Sequence, residues 1–287
     1  MGRRITVVGG DMRQITMAEY FAKDGFDVSV YGFDKKLIPP PLNAADTLTD
    51  ALSGSKTVIL GIAPCSENMN ICTPHWTDTL SVQSLLSHLS PDCCIIGGKM
   101  PKSFTELCES SGIKYSDYIG REEFAVLNAV PTAEGALAIA MEELSCTIHG
   151  LSCLVTGFGR IGKILARILY ALGANVTCSA RKCGDLAWIN SLGYNAVHSD
   201  KLISCVHDCA VIFNTVPTHI FSREVLRNIR PGTLIIDLAS KPGGVDLESA
   251  AQLGIKVIWA LSLPGKAAPA TAGKIIKDTV LNILSEM

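Results

Sequence analysis

The chain has 287 residues, of which 48 % are apolar, and a formal net charge of −2, which is length and core enough for two domains of ordinary size. The near-neutral balance argues against a nucleic-acid partner, which would call for a basic face, and no stretch is expected to reach the length of a membrane span. The start, Met1-Gly2-Arg3-Arg4-Ile5, leads into a strand pattern without the apolar core of a signal peptide, so the expected compartment is the cytoplasm, where the eleven cysteines stay reduced and mostly buried, with no spacing that suggests a metal site.

In chain order, residues 5–8 read as a strand, 12–23 as a helix stopped by Gly25, and 27–31 as a second strand. A turn-rich piece follows at Pro39-Pro40-Pro41. Further strands are expected at 57–62, 94–97 and 113–116, with helices near 82–88 and 103–111. Residues 132–145 read as a long helix, with Thr132 as its N-cap and Glu134 in its first turn. A second series of strands follows at 151–156, 175–179, 194–197, 210–214, 233–237 and 256–259, and a last helix at 271–284. Short apolar runs alternating with helices imply parallel sheets covered on both faces. The expected fold is α/β: two doubly wound, Rossmann-like domains with a cleft between them, bridged by long helices. Residues 1–130 would form a substrate-side domain completed by the C-terminal helix 270–287, and 131–269 an NADP-binding domain.

The string Gly157-Phe158-Gly159-Arg160-Ile161-Gly162 lies between the strand at 151–156 and a helical pattern from 160 to 172. In that place it has a mechanical reading. Gly157 permits the tight turn, Gly159 lets backbone approach a pyrophosphate, and Gly162 lets helix pack on strand. The phosphates then rest on free N–H groups at the positive end of the helix dipole. An NAD site usually carries Asp or Glu about 20 residues further on, to accept from the ribose 2′-OH. Here the strand runs out into Ser179-Ala180-Arg181-Lys182, with Arg181 24 positions after Gly157. A guanidinium grips a 2′-phosphate, and Ser179 could add a hydroxyl. The expected cofactor is therefore NADP, with NAD as the alternative.

Loops after the other strands would line the nicotinamide half of the cofactor. They are Asn214-Thr215-Val216-Pro217, from which Thr215, Val216 and Pro217 are candidates, and the stretch from Leu238 to Gly244 with Lys241. The Gly- and Pro-dense piece from Leu263 to Pro269 reads as a turn that offers Lys266 to an anion. In the first domain the turn Gly9-Gly10-Asp11 lacks a third glycine, so it reads as a dinucleotide-like loop reused for substrate, with Arg13 beside it. Lys99, after Gly97-Gly98, and Arg121 add further cations, and Thr132 and Glu134 further polar groups. Several cations at strand ends would suit a small polyanionic substrate. His219 is the histidine nearest the expected nicotinamide.

Together these residues carry a resemblance. Gly9-Gly10-Asp11-x-Arg13-Gln14, Gly97-Gly98-Lys99, Asn128-Ala129-Val130-Pro131-Thr132-Ala133-Glu134-Gly135, the glycine string, Asp237-Leu238-Ala239-Ser240-x-Pro242-Gly243-Gly244 and Leu263-Pro264-Gly265-Lys266 run over most of the chain. In them the chain resembles the family of dipicolinate synthase A subunits from spore-forming bacteria. The resemblance implies an oxidoreductase that turns dihydrodipicolinate into dipicolinate during sporulation, in the mother-cell cytoplasm, alongside the flavoprotein-like B subunit of dipicolinate synthase. A homo-oligomer is a further expectation. On that reading Arg13, Lys99, Arg121 and Lys266 clamp the two substrate carboxylates, with Thr132 and Glu134 as polar partners, and Lys241 or His219 takes the proton. Two other readings stay open at this level: a 2-hydroxyacid or shikimate-type dehydrogenase of the same two-lobed plan, and a cofactor-binding subunit whose partner performs the redox step.

Overall fold

A computed structural model describes residues 4–287. The chain divides into two units, one taking the chain up to Asn128 together with Ala268–Met287, the other Ala129–Ala267.

The first unit alternates strands and helices: β1 (Arg4–Val8), α1 (Met12–Lys23), β2 (Asp27–Tyr31), β3 (Asn43–Ala44), α2 (Leu48–Leu52), β4 (Thr57–Ile62), α3 (Val82–Ser87), β5 (Cys94–Gly98), α4 (Lys102–Ser110) and β6 (Lys114–Asp117). The strands form one parallel sheet in the order β3-β2-β1-β4-β5-β6. Side chains alternate across it, as a period of two requires. Ile5 and Val7 join Phe21 and Phe124 on one face, while Val8 joins Leu85 and Phe104 on the other. The sheet reverses its strand order between β1 and β4, which is the place where doubly wound sheets bind ligands.

Next comes α5 (Glu122–Glu143), and the second unit then repeats the plan with β7 (Ser152–Thr156), α6 (Arg160–Ala171), β8 (Asn175–Ala180), α7 (Cys183–Ser191), β9 (Asn195–His198), β10 (Val211–Asn214), α8 (Arg223–Leu226), β11 (Leu234–Asp237), α9 (Leu247–Gln252), β12 (Lys256–Trp259) and α10 (Leu263–Ala267). Its parallel sheet has the order β12-β11-β10-β7-β8-β9, the same winding as the first. In α6, Gly162, Leu165, Ala166 and Leu169 are buried, at the three- and four-residue steps that put one helical stripe on a core. Helix α11 (Pro269–Glu286) returns to the first unit and packs on α1. Ile275, Ile276, Val280 and Ile283 enter that core. The nearly buried Lys277 pairs there with Asp24, just past the end of α1, and with Asp278. The α/β class with two Rossmann-like sheets is thus observed.

Four expectations need correction. The first sheet gains a sixth strand, β3, only two residues long and too short for a periodic signal. Helix α5 begins ten residues before Thr132, so Thr132 is a buried residue in mid-helix and not a cap, and Glu134 lies well past the first turn. Pro131 stands inside this helix. Proline removes a backbone donor and normally breaks a helix, but here buried Phe124 and Ala129 on one side and Ala133, Ala136 and Ala140 on the other carry the helix through it. At its full 22 residues α5 is long and apolar enough to cross a membrane by length and composition, which the shorter expected helix did not reveal. Ala133, Ala136 and Ala140 are built into the core of the second unit, and both ends carry glutamates, so we read it as a core helix. Finally, the stretch expected as a turn around Lys266 is the helix α10, held by Leu263 and Pro264 in the core.

Candidate functional site: a glycine loop at a helix start

The glycine loop joins β7 to α6. Gly157 takes φ +88°, and its N–H donates to the Ser179 carbonyl at 3.0 Å. A side chain there would need the left-handed backbone region that glycine alone enters freely. A Cβ on it would also lie 2.5 Å from Thr215 Oγ1 and 2.9 Å from Val216. Gly162 faces inward, and a Cβ there would run into the Gly157 carbonyl. Gly159 faces the other way: a Cβ there would meet no atom within 4 Å. Gly159 is also the N-cap of α6 and supplies no side-chain acceptor to the first helical N–H groups. The three glycines therefore do three different things: one makes the turn, one leaves open space at the helix start, and one seats the helix. That set of features fits a dinucleotide pyrophosphate.

Gly157, Phe158 and Gly159 border a cleft of about 320 Å³ together with Arg181, Lys182 and Val216. Arg181 and Lys182 are exposed at the end of β8, where the ribose hydroxyls of a dinucleotide lie. The cleft also holds two carboxylates, Asp185 and Asp200, that sequence reasoning missed. Asp185 is in the first turn of α7, and Asp200 follows β9, so neither stands at the strand end where the motif looks for an acid. His198 anchors the Arg181 backbone by a ring nitrogen 3.0 Å from its carbonyl oxygen. Ser179 is corrected: it is wholly buried, its hydroxyl has no protein partner, and it does not border the cleft. Arg160 and Ile161 open α6, and Pro217 is exposed. Leu238 puts its side chain into the core and donates its N–H to the Asn214 carbonyl at 2.8 Å.

The loops after β10 and β11 are fastened by a buried polar network, another feature absent from the sequence reading. Asp237 accepts from Asn214 Nδ2 (2.8 Å), from the Ala239 N–H (3.0 Å) and from the Gly244 N–H (2.8 Å). Asn214 Nδ2 also donates to the Val216 carbonyl, while its Oδ1 accepts from the Thr156 hydroxyl at 2.7 Å and the Val216 N–H at 3.1 Å. Thr156, Asn214 and Asp237 are at most 2 % exposed. Three polar residues at the ends of three adjacent strands were the available signal. Lys241 is exposed on the loop that Asp237 holds, and His219 is exposed on the loop after Val216.

In the first unit Asp11 caps α1 and takes the Arg13 guanidinium in a two-oxygen grip, with Nε at 2.9 and 3.1 Å and Nη2 at 2.6 Å. Burial pushes the Asp11 carboxyl up, but the Arg13 hydrogen bonds and charge outweigh it and hold the carboxyl below its ordinary value. Lys99 is exposed, with φ +54°. Asp117 supports that conformation by accepting the Lys99, Met100 and Ile119 N–H groups at 3.0, 2.9 and 2.8 Å. Arg121 is corrected from a substrate cation to a structural one. It holds Glu286 of α11 through two bonds of 2.6 and 2.7 Å, and Glu123 through a third of 2.8 Å. Glu134 and Lys266 are exposed in the second unit.

Fold and loop together define a dehydrogenase-like oxidoreductase with a nicotinamide-binding unit. Residues 133–246 match the family model of the D-isomer specific 2-hydroxyacid dehydrogenase NAD binding domain, and residues 4–119 match that of the N-terminal domain of the dipicolinate synthase A subunit. Over its whole length the chain is 32 % identical to the dipicolinate synthase A subunit of Bacillus subtilis strain 168, covering 97 % of it. The crystal structure of that Bacillus subtilis protein superposes with a TM-score of 0.88 at 32 % identity, over 100 % of this chain and 97 % of that one. The crystal structure of the corresponding protein from Bacillus halodurans superposes with a TM-score of 0.90 at 28 % identity, over 100 % and 99 %. The chain belongs to the family of dipicolinate synthase A subunits.

Proposed function

We propose that this chain oxidises dihydrodipicolinate to dipicolinate with NADP during sporulation, in the mother-cell cytoplasm and in company with a second synthase subunit. The observation that carries the reading is the full-length 32 % identity to the A subunit of a dipicolinate synthase, to which the glycine loop adds a physical basis for the cofactor. The preference for NADP rests on Arg181 and Lys182 bordering the cleft, against which Asp185 and Asp200 leave NAD as the alternative.

The substrate is a six-membered nitrogen ring with two carboxylates. Its oxidation releases one hydride and one proton, and aromatisation of the ring makes the step downhill. When bound, the nicotinamide supplies the hydride acceptor. The protein's task is then to hold two carboxylates and orient one C–H. Lys99, on the turn whose backbone Asp117 holds, and Lys266 are exposed and offer their ammonium groups to the carboxylates. Arg13 contributes the edge of its guanidinium that Asp11 leaves uncovered. Lys241 or His219 accepts the proton, both being exposed on loops next to the Asp237 network.

The test is an assay of the purified chain with dihydrodipicolinate, NADP or NAD, and with or without the second subunit, read by ultraviolet absorbance of dipicolinate. Product formed with NADP faster than with NAD supports the reading. Absence of product with either nucleotide, even with the second subunit present, refutes it.

A further inference from the structure

A cavity of about 760 Å³ lies within the first unit, at the carboxyl ends of β2 and β3, inside the roughly 300–1,000 Å³ span of small-molecule pockets. In a doubly wound sheet this place, beside the loop after β1, takes the adenosine half of a dinucleotide. Three features of its wall suit a nucleoside. The half-buried Tyr31 and Trp76 meet edge to face, with ring centroids 5.1 Å apart, and give a heterocycle an aromatic wall. Asp34 stands 25 positions after Gly9, close to the spacing at which an acidic residue receives ribose hydroxyls. One carboxylate oxygen of Asp34 accepts the Lys36 N–H at 3.0 Å, and no cation lies within ion-pair distance of the group among the described residues. The two sides of the pocket are tied by the Asp34 N–H, which donates to the His75 carbonyl at 2.6 Å.

The neighbouring loop, by contrast, has no place for a diphosphate. The Gly10 N–H is spent on the Cys72 carbonyl at 2.8 Å, and a Cβ on Gly9 would lie 2.7 Å from the same oxygen. At the start of α1 the Asp11 carboxylate takes the Arg13 N–H at 3.0 Å, and Gln14 Oε1 returns to the Asp11 N–H at 2.9 Å. The amides at this helix start and loop are occupied by the protein's own oxygens.

We propose that this cavity is a second ligand site, for a nucleoside or its monophosphate, with the base against Trp76 and the ribose diol on Asp34. It is separate from the glycine loop of the second unit and does not rest on the proposed reaction. The test is calorimetric titration of the full chain, with NADP present, using adenosine, adenosine monophosphate and 2′-deoxyadenosine as probes. One saturable adenosine or monophosphate site per chain is expected, weakened about tenfold or more by removal of the 2′-hydroxyl, by Trp76→Leu and by Asp34→Asn. Asparagine keeps the hydrogen bond to the Lys36 N–H while removing the charge, so Asp34→Asn decides the matter if Trp76→Leu fails to fold. A tighter monophosphate assigns the ligand to the nucleotide, and equal affinity assigns it to the nucleoside; either supports the site. No saturable binding of adenosine or the monophosphate, binding unchanged in Asp34→Asn, or displacement of adenosine by dipicolinate would overturn it.

Discussion

Gly159 and Gly162 stand three positions apart and face opposite surroundings, which makes them a matched pair of probes. A side chain at Gly159 meets open space, so Gly159→Val is expected to leave the thermal midpoint within a few degrees of the native protein and to abolish NADP binding by calorimetry. Gly162→Ala is expected to lower the midpoint, because its methyl group would meet the Gly157 carbonyl and overpacking costs about 1–3 kcal/mol. If Gly159→Val still binds NADP, the amides of this loop do not hold a pyrophosphate. The same reasoning applies to Asp237, whose carboxylate only accepts: from Asn214, Ala239 and Gly244. Asp237→Asn turns one acceptor oxygen into a donor facing a donor. We expect it to cost about 1–3 kcal/mol by denaturant unfolding. A loss below 0.5 kcal/mol, on the order of a surface change, would mean that the network is not fully formed.

At the scale of elements, the start of α1 shows how a helix end can be closed by its own side chains. Asp11 accepts the Arg13 N–H while Gln14 reaches back to the Asp11 N–H, satisfying two of the donors a helix start leaves over. The Arg13 pair is a second contribution. Because the folded Asp11 carboxyl sits below its ordinary value of 3.8, the pair stabilises the fold above that pH and its contribution is lost as pH falls through the lower, folded value. Asp11→Asn keeps a good cap and removes the charge. The gap between native and variant stability is therefore expected to be present at pH 7, to stay under about 1 kcal/mol because the group is partly exposed, and to close at acid pH. A gap that widens as pH falls would reverse the assigned sign. Elements with a run of apolar residues at one period were legible in the sequence: α1, α6 and the buried strands β1, β4, β7 and β10 all carry it. What was not legible depended on partners distant in the chain. Pro131 argued locally for a boundary, and only the core around Ala133 and Ala136 carries α5 through it. Strand β3 exists because β2 offers it an edge. Arg121 looked like a free cation because Glu286, 165 positions away, gives no local sign of binding it. The glycine loop could be read because its chemistry lies within six consecutive residues. The Asp237 network and the acids beside Arg181 could not, because each joins strands or helices whose neighbourhood is set by the sheet order.

Across the whole molecule, two sheets of identical winding differ in what their first loops leave available. The second unit starts its helix on Gly159, with no side-chain cap and open space where a side chain would stand, whereas the first closes the corresponding place with Cys72, Asp11 and Gln14. Sheet order alone would therefore predict two dinucleotides per chain, and the loops predict one. Ligand that binds only the folded state stabilises it by about 2.7 kcal/mol at a hundred times its Kd. NADP should accordingly raise the thermal midpoint of the native protein and saturate at one equivalent in calorimetry, with neither effect in Gly159→Val. A second equivalent of comparable affinity that survives Gly159→Val would mean that the Gly9-Gly10 loop opens in solution, because its amides can take a diphosphate only after the Cys72 carbonyl has moved away.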